Sequence, residues 1–551
     1  TLPFRNMFAI NADGTDQLTL YEFPTRMSWN DKTLYRVSQD NVLSTLPGED
    51  EYVLTASVNR KIEMCTYRLN IYTAKRQKRQ CIDHDGEYTS TGYLVDSEGN
   101  LRGVSNRNRD DIELLVRQDG KSEWKQLPIF GELSRKRIQA EAFSDDPNKI
   151  YVRSRHATGR FAIYTYDITN EAFANLVFGH DQYDVEGLIW HPADYRPIAV
   201  SYIADRRRFH FLDEDYERLH RRLMATFPDR TIDILSSSAD LAKHIVMVTG
   251  PESPGDVYYY DARKPIVALI YSKNPDLPRE HLAPMDVFKV KARDGVEFTT
   301  YVTKPKSGTA PFPTVILPHR SPFERDVLAF DAWAQFLVSR GYAVIQPNYR
   351  GSPGYGASFE DLGVGQWGRA VQNDILDAHA FAVREGIAAS DRICILGESL
   401  AGHAALLAVA REPDMFACAI AIAGIGDFNR FLSTDNPYKS WRWTREAFVG
   451  DMERDAVSQI SPISYVDSWS RPTLLFHAEN DLMVSPKQTE RLYRKLRRSK
   501  VDVRYVSIGD DQRQLRTSGT KHKVLSPEAH MKMFAEAEAF LTRHLAPQSG
   551  S

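Results

Sequence analysis

Ser399, Asp481 and the histidines that follow them are the residues with which this chain could attack a carbonyl group. Ser399 stands in ILGESLAGHAA, with Gly397 two positions before it and Ala401 two after. This approximates G-x-S-x-G, the turn that lifts a nucleophilic serine off the end of a strand. The flanking residues must be small so that strand and helix can close on each other. A serine capping an ordinary helix N-terminus is the plainer reading. Asp481 follows in FHAENDLMVSP, 82 residues later. It could orient a histidine and stabilise its charged form, or close a loop through an Asx turn. The order Ser…Asp…His is that of α/β-hydrolases. After Asp481 the chain offers His522, His530 and His544.

These residues need a scaffold. From about residue 285 a hairpin, FKVKARDGVEFTTYVTKP, leads into apolar strands separated by helix-length segments. The strands are PTVILPH (313–319), YAVIQPNYR (342–350), RICILGES (392–399), CAIAIAGI (418–425), PTLLFHAEND (472–481) and VRYVSIG (503–509). Continuous apolar runs of this length indicate a mostly parallel, doubly wound sheet buried on both faces. Ligands bind such sheets at the carboxyl ends of their strands. Ser399 and Asp481 both fall there.

The first half has a different period. Anchors recur at LNIYTAK (69), IELLVRQDG (112), FAIYTYD (161), RFHFLDED (208) and DVYYYDARK (256), about 43–49 residues apart. One four-stranded propeller blade needs that length. MFAINADG near the start is an earlier anchor, which makes six blades and a propeller incomplete in this chain. The reading is therefore an N-terminal β-propeller, residues 1–280, and a C-terminal α/β-hydrolase, residues 281–551.

The composition is that of a globular protein: 42% hydrophobic and 26% charged, over 551 residues. A net charge of −3 gives no case for nucleic acid. The basic runs DRRRFH (205–210) and RKLRRSK (494–500) read as solvated faces. No apolar run reaches the ~18–20 residues that span a bilayer. No metal-ligand spacing or cofactor motif occurs. Of the four cysteines, Cys65 and Cys81 could pair, whereas Cys394 and Cys418 read as buried bystanders. The chain begins at Thr1 inside an apparent strand, which reads as a mature or trimmed form.

The motifs LPHRSPFERD, PNYRGSPGYG, QWG, NDILDA, GESLAG and HAEND…VSP resemble the prolyl oligopeptidase family of serine peptidases, the branch that holds acylaminoacyl and dipeptidyl peptidases. The resemblance covers nearly the whole chain. It implies a propeller capping a hydrolase and an exported, periplasmic or secreted location, with the cytoplasm left open. It also implies two oxyanion donors: the N–H of Leu400 and a backbone N–H of the loop after the first long strand. That loop usually reads H-G-G-P and here is His319-Arg320-Ser321-Pro322, so Arg320 and Ser321 stand where the donor is needed. The family's histidine follows the last strand. Read forward from YVSIG, that position is Gln512; read back from the final helix, it is His522.

With His522 as base, the chain is a serine peptidase acting on short peptides through Ser399, His522 and Asp481. With Gln512 at the position, it is a peptide-binding pseudoenzyme or scaffold, because glutamine cannot act as a general base. A serine esterase uses the same acyl-enzyme chemistry. WRW (441–443) is a candidate aromatic wall for the substrate pocket. His403 and His477 read as packed structural residues. A homo-oligomer, or a partner chain that completes the propeller, is left open.

Overall fold

The computed structural model describes residues 7–10, 15–21, 27–29, 32–34, 42–46, 49–58, 64–82, 89–96, 98–108, 111–119, 122–133, 138–264, 266–433, 442–481, 483–509 and 527–545. Gln512 and His522 lie outside the described residues, as does Trp441. The side chains of Arg442 and Trp443 are likewise not described.

The N-terminal half is a propeller fold, a succession of antiparallel meanders. Those with four strands comprise Val42–Ile82, Thr89–Gln126, Ile138–Phe178 and Thr231–Ser272, and one with three comprises Val185–Phe211. Every anchor from residue 69 onward overlaps the third strand of its meander, several running on into the turn after it: Met64–Asn70, Asp111–Val116, Ala162–Asp167, Arg207–Phe211 and Ser253–Asp261. The repeat was legible because the third strand carries a similar apolar pattern and turn in each unit. Strands such as Lys149–Ser154 and Lys243–Gly250 alternate buried and less buried residues, as a half-buried strand must. The sixth anchor is corrected. Met7–Ala9 pairs only with Leu18–Tyr21, so five meanders and two short hairpins are seen among the described residues. After the three-stranded meander comes the helix Glu214–Thr226, where its neighbours in sequence place a fourth strand.

The C-terminal half is an α/β-hydrolase built on one eight-stranded sheet. We number its strands β1 (Met285–Lys291), β2 (Glu297–Thr303), β3 (Phe312–Ile316), β4 (Ala343–Pro347), β5 (Ala388–Glu398), β6 (Cys418–Ile422), β7 (Thr473–His477) and β8 (Val503–Ser507). They lie in the order β1-β2-β4-β3-β5-β6-β7-β8. The first hairpin is antiparallel, and the strands from β4 to β8 are parallel. Every residue of β3, β4, β6 and β7 is buried. That is why these segments read as unbroken apolar runs rather than alternating ones.

Two cores cover the sheet. One takes helices α1 (Ala332–Ser339) and α5 (Pro527–Leu545) through Leu337, Val338, Met533 and Leu541. The other takes α2 (Ala370–Arg384), α3 (Leu400–Arg411) and α4 (Lys487–Arg498) through Ile375, Leu406, Leu492 and Leu496. On α4 the cations Arg494, Lys495, Arg497 and Arg498 face solvent while Leu492 and Leu496 face inward, so this run is a solvated face. No described helix is long and apolar enough to cross a membrane. Cys394 and Cys418 correct the sequence reading, whereas Cys65 and Cys81 form the pair it allowed. Cys394 and Cys418 are register partners on β5 and β6 and are disulfide-bonded, and Cys65 is bonded to Cys81 across an antiparallel pair. Separation along the chain hid that strand adjacency.

Candidate active site

Parallel order brings the carboxyl ends of β3, β5, β7 and β8 to one edge of the sheet. The sequence after each strand then supplies one part of a site. Ser399 ends β5 and opens α3 with φ 57° and ψ −114°, a left-handed backbone that a serine adopts only under constraint. Its N–H donates to Ile422 O on β6 at 2.8 Å. Its side chain makes no helix-capping hydrogen bond, so the N-cap reading does not describe it. Ser399 is half-buried and Leu400 buried.

Small neighbours are a steric requirement here. A Cβ on Gly397 would lie 2.2 Å from Ala401 O. A Cβ on Gly402 would meet Gly424 Cα at 3.0 Å and Ile422 O at 3.1 Å. The second close approach therefore falls on Gly402, one residue beyond the pattern's second small position. This is why alanine fits at 401. As the first residue of α3, Leu400 has an N–H with no intrahelical acceptor.

Asp481 follows β7. Its Oδ1 accepts from Met483 N–H (2.7 Å) and Val484 N–H (3.0 Å), which is the Asx-type turn. Its Oδ2 lies 3.6 Å from His477 Nε2. His477 is fully buried and committed elsewhere: Nε2–H donates to Val484 O at 2.9 Å, and Nδ1 lies 2.7 Å from the Thr489 hydroxyl. The turn and a role toward a histidine are thus compatible, because they use different oxygens. β8, next to β7, ends at Ser507, and α5 begins at Pro527. The segment carrying Gln512 and His522 connects these two points.

The loop after β3 is held by its own side chains. His319 stacks on Tyr349, ring centroids 4.0 Å apart. Its Nδ1 lies 2.8 Å from Ser321 O, which can only accept, so Nδ1 carries the proton. Its Nε2 lies 2.8 Å from the Ser352 hydroxyl, and Tyr349 O–H donates to His319 O at 2.9 Å. Burial pushes the His319 ring down to about 3, so it stays neutral. Arg320 grips Glu324 with Nε and Nη2 at 2.9–3.0 Å. Ser321 Oγ accepts from Phe323 N–H. Among the described residues the N–H groups of Arg320 and Ser321 find no acceptor.

Behind the site lie contacts that the sequence reading did not assign. Arg350, of the PNYRGSPGYG motif, meets Asp374, of NDILDA. Trp367, of QWG, donates Nε1–H to His403 Nδ1 at 3.0 Å, while His403 Nε2–H donates to Ile460 O at 2.7 Å. His403 is therefore packed and neutral, with burial pushing it down to about 4. A buried arginine directly after an apolar strand was the available signal for the first contact. Of the other histidines after Asp481, His530 is exposed on α5, and His544 lies 3.6 Å from Asp502. Among the described residues no group of three or more His, Cys, Asp or Glu is gathered to hold a metal ion.

Comparison with known proteins bears on this arrangement. Residues 328–548 match the model of the prolyl oligopeptidase family. Dipeptidyl aminopeptidase BIII of Pseudoxanthomonas mexicana is 26% identical over 470 residues, 82% of this chain and 66% of the relative. Dipeptidyl peptidase family member 6 of Caenorhabditis elegans is 26% identical over 404 residues, 68% of this chain and 53% of the relative. The chain thus spans between about half and two-thirds of these relatives. Among solved structures, a puromycin-hydrolyzing peptidase of Mycobacterium tuberculosis shares the fold with a TM-score of 0.72 at 20% identity, covering 98% of this chain and 86% of that one. The acylaminoacyl peptidase of Pyrococcus horikoshii gives 0.64 at 16% identity, covering 99% of this chain and 86% of that one.

Proposed function

Because the chain carries a hydrolase domain of the prolyl oligopeptidase family, we propose that it is a serine peptidase that cleaves short peptides through an acyl-enzyme. One observation carries the reading: a serine with its side chain uncapped, held in a left-handed turn at the carboxyl edge of the sheet. Ser399 Oγ attacks the peptide carbonyl while His522 takes its proton. Oδ2 of Asp481, the oxygen not used by the turn, orients His522 and stabilises its charged form. The tetrahedral oxyanion is held by Leu400 N–H and by a backbone N–H of Arg320 or Ser321. Each such donor is worth ~10²–10³ in rate. His522 then protonates the leaving amine, the C–N bond breaks, and water releases the acyl group by the same steps.

The relatives named as dipeptidyl peptidases support N-terminal dipeptide release as the first activity to assay. They lend nothing to a scaffold reading. The two disulfides support a location outside the reducing cytoplasm.

The test is labelling by a fluorophosphonate, which reports an activated serine without needing the right substrate. Wild type is expected to label, and Ser399→Ala and His522→Ala are expected not to, with Gln512→Ala unaffected. A folded wild type that does not label would sink the reading and favour the peptide-binding one.

A further inference from the structure

Glu398 stands directly before the nucleophile, and the fold leaves its carboxylate without a partner. β5 sends alternate residues to opposite faces of the sheet. Ile393 and Ile395 enter the core of α2, α3 and α4, while Cys394 and Leu396 enter the core of α1 and α5. Gly397 turns to α3, where a Cβ would meet Ala401 O. Glu398 therefore turns to the face of Leu396, with its register partner Ile422 on β6, which lies in that same core. As the last residue of the strand it is half-buried. Among the described residues its carboxylate makes no hydrogen bond and no ion pair.

A half-buried carboxylate with apolar neighbours calls for a cation. The chain brings one close and commits it elsewhere. The register of β3 with β5 sets Ile316 beside Ile395. Carried past the strand ends, it brings His319 level with Glu398 and Arg320 level with Ser399. Glu324 raises the Arg320 guanidinium most, burial opposes it, and Glu398 raises it further. Nε and Nη2 of Arg320 both go to Glu324, a two-pronged grip that fixes the guanidinium in place. One guanidinium thus stands between two carboxylates and is held by the one on its own loop. The carboxylate next to Ser399 is left over.

We propose that Glu398 is a specificity-determining residue, which takes the ammonium or guanidinium of a lysine or arginine side chain adjoining the scissile bond. The inference rests on the peptidase reading and names its substrate class. Glu398 is bonded to the residue that attacks, so the cation it holds lies close to the carbonyl under attack. An acidic side chain there would meet like charge and be rejected. A free N-terminus is common to all short peptides, so discrimination among them comes from the side chain. Glu324 is a positioning residue in this scheme. It keeps Arg320 from neutralising Glu398.

The peptides Ala-Lys-Ala-Ala and Ala-Ala-Lys-Ala, each beside its norleucine counterpart, test this, with the bond cleaved read by mass spectrometry. All carry the same free N-terminus, so the lysine-to-norleucine ratio of kcat/KM reports the side chain alone. Wild type should favour lysine about tenfold or more at one of the two positions, the worth of a hydrogen bond to a charged group. Glu398→Gln should abolish that preference. Glu324→Gln, which frees Arg320, should weaken it, and adding Arg320→Met should restore it, a rescue that a merely structural Glu324 would not show. Asp391→Asn, at an exposed carboxylate near the start of β5, should leave it unchanged. Fluorophosphonate labelling keeps the two readings apart. A wild type that labels yet cleaves lysine and norleucine peptides alike overturns this inference and leaves the peptidase reading standing. If wild type does not label, calorimetry of the same peptides on Ser399→Ala supplies the ratio as affinities, and equal affinities overturn the inference. A preference that survives Glu398→Gln would overturn it too, as would a loss shared equally by lysine and norleucine peptides.

Discussion

Arg350 and Asp374 meet in a buried contact made of three donors. Arg350 Nε and Nη2 reach the carboxylate at 2.8 and 2.6 Å, and the Arg350 backbone N–H donates to it at 2.8 Å. On its other side the guanidinium holds Asp294 at 2.7 and 3.0 Å. Burial pushes the Asp374 carboxyl up and the donors from Arg350 oppose it, while the two aspartates raise the guanidinium. Arg350 belongs to the loop after β4 and Asp374 to α2, so the pair ties the loop behind His319 to the helix layer. Removing Asp374 leaves the buried guanidinium only the half-exposed Asp294, and breaking a buried pair costs up to about 3–5 kcal/mol. Asp374→Ala should therefore lower the melting temperature sharply, and Asp294→Ala should lower it little, since Asp294 is half exposed. Equal shifts in calorimetry would contradict this.

Gly397→Ala should remove fluorophosphonate reactivity. Its Cβ would sit 2.2 Å from a backbone oxygen of α3, so strand and helix must part. A displacement of about 1 Å at the nucleophile costs ~10²-fold in rate. Ala401→Gly should label as wild type does, because glycine is the residue that the strand–serine–helix turn pattern carries at that position. Gly402→Ala should fall between the two.

Asp481→Asn separates the turn from the chemistry. Asparagine keeps an Oδ1 acceptor for Met483 and Val484, so the melting temperature should hold within a degree or two. It would impose the wrong histidine tautomer, and that change costs ~10⁴ in kcat where it has been measured in a serine protease triad. A variant with intact stability and intact turnover of a dipeptidyl amide would remove Asp481 from the proposed mechanism.

His403 predicts a pH dependence of stability. Burial holds it down to about 4, against an ordinary value of about 6.5. As pH falls through about 6.5 the unfolded chain binds this proton and the folded chain does not, so stability is lost until about pH 4, where the loss levels off. The full gap is worth about 3 kcal/mol. His319 acts in the same direction. Melting curves should show wild type losing its advantage over His403→Gln between pH 8 and 4.5. A constant difference would show that His403 does not titrate this way.

The α/β-hydrolase half was legible almost strand by strand. Residues such as Val315, Ile345, Ile395 and Leu475 are buried on both faces of a parallel sheet, and burial of that kind leaves an unbroken apolar run. The propeller was legible from its third strands alone, because the edge strands vary from RQKRQCI to IVALIYS and hold no common pattern. Ser399 and Asp481 could be named because each stands directly after such a run.

What the chain determined by itself is local: strand, turn and helix periods, the small residues around Ser399, and the order in which the candidate groups appear. Tertiary structure decided what chain distance conceals. It set Cys394 against Cys418, Gly402 against Gly424, and Trp367 on His403, and it gave one oxygen of Asp481 to the turn while leaving the other. It also gave Arg350 two carboxylates, 56 residues before it and 24 after it. The reason is geometric. Neighbours in a doubly wound sheet are separated by whole helices, so the contacts that hold the site appear only once the strands are in order.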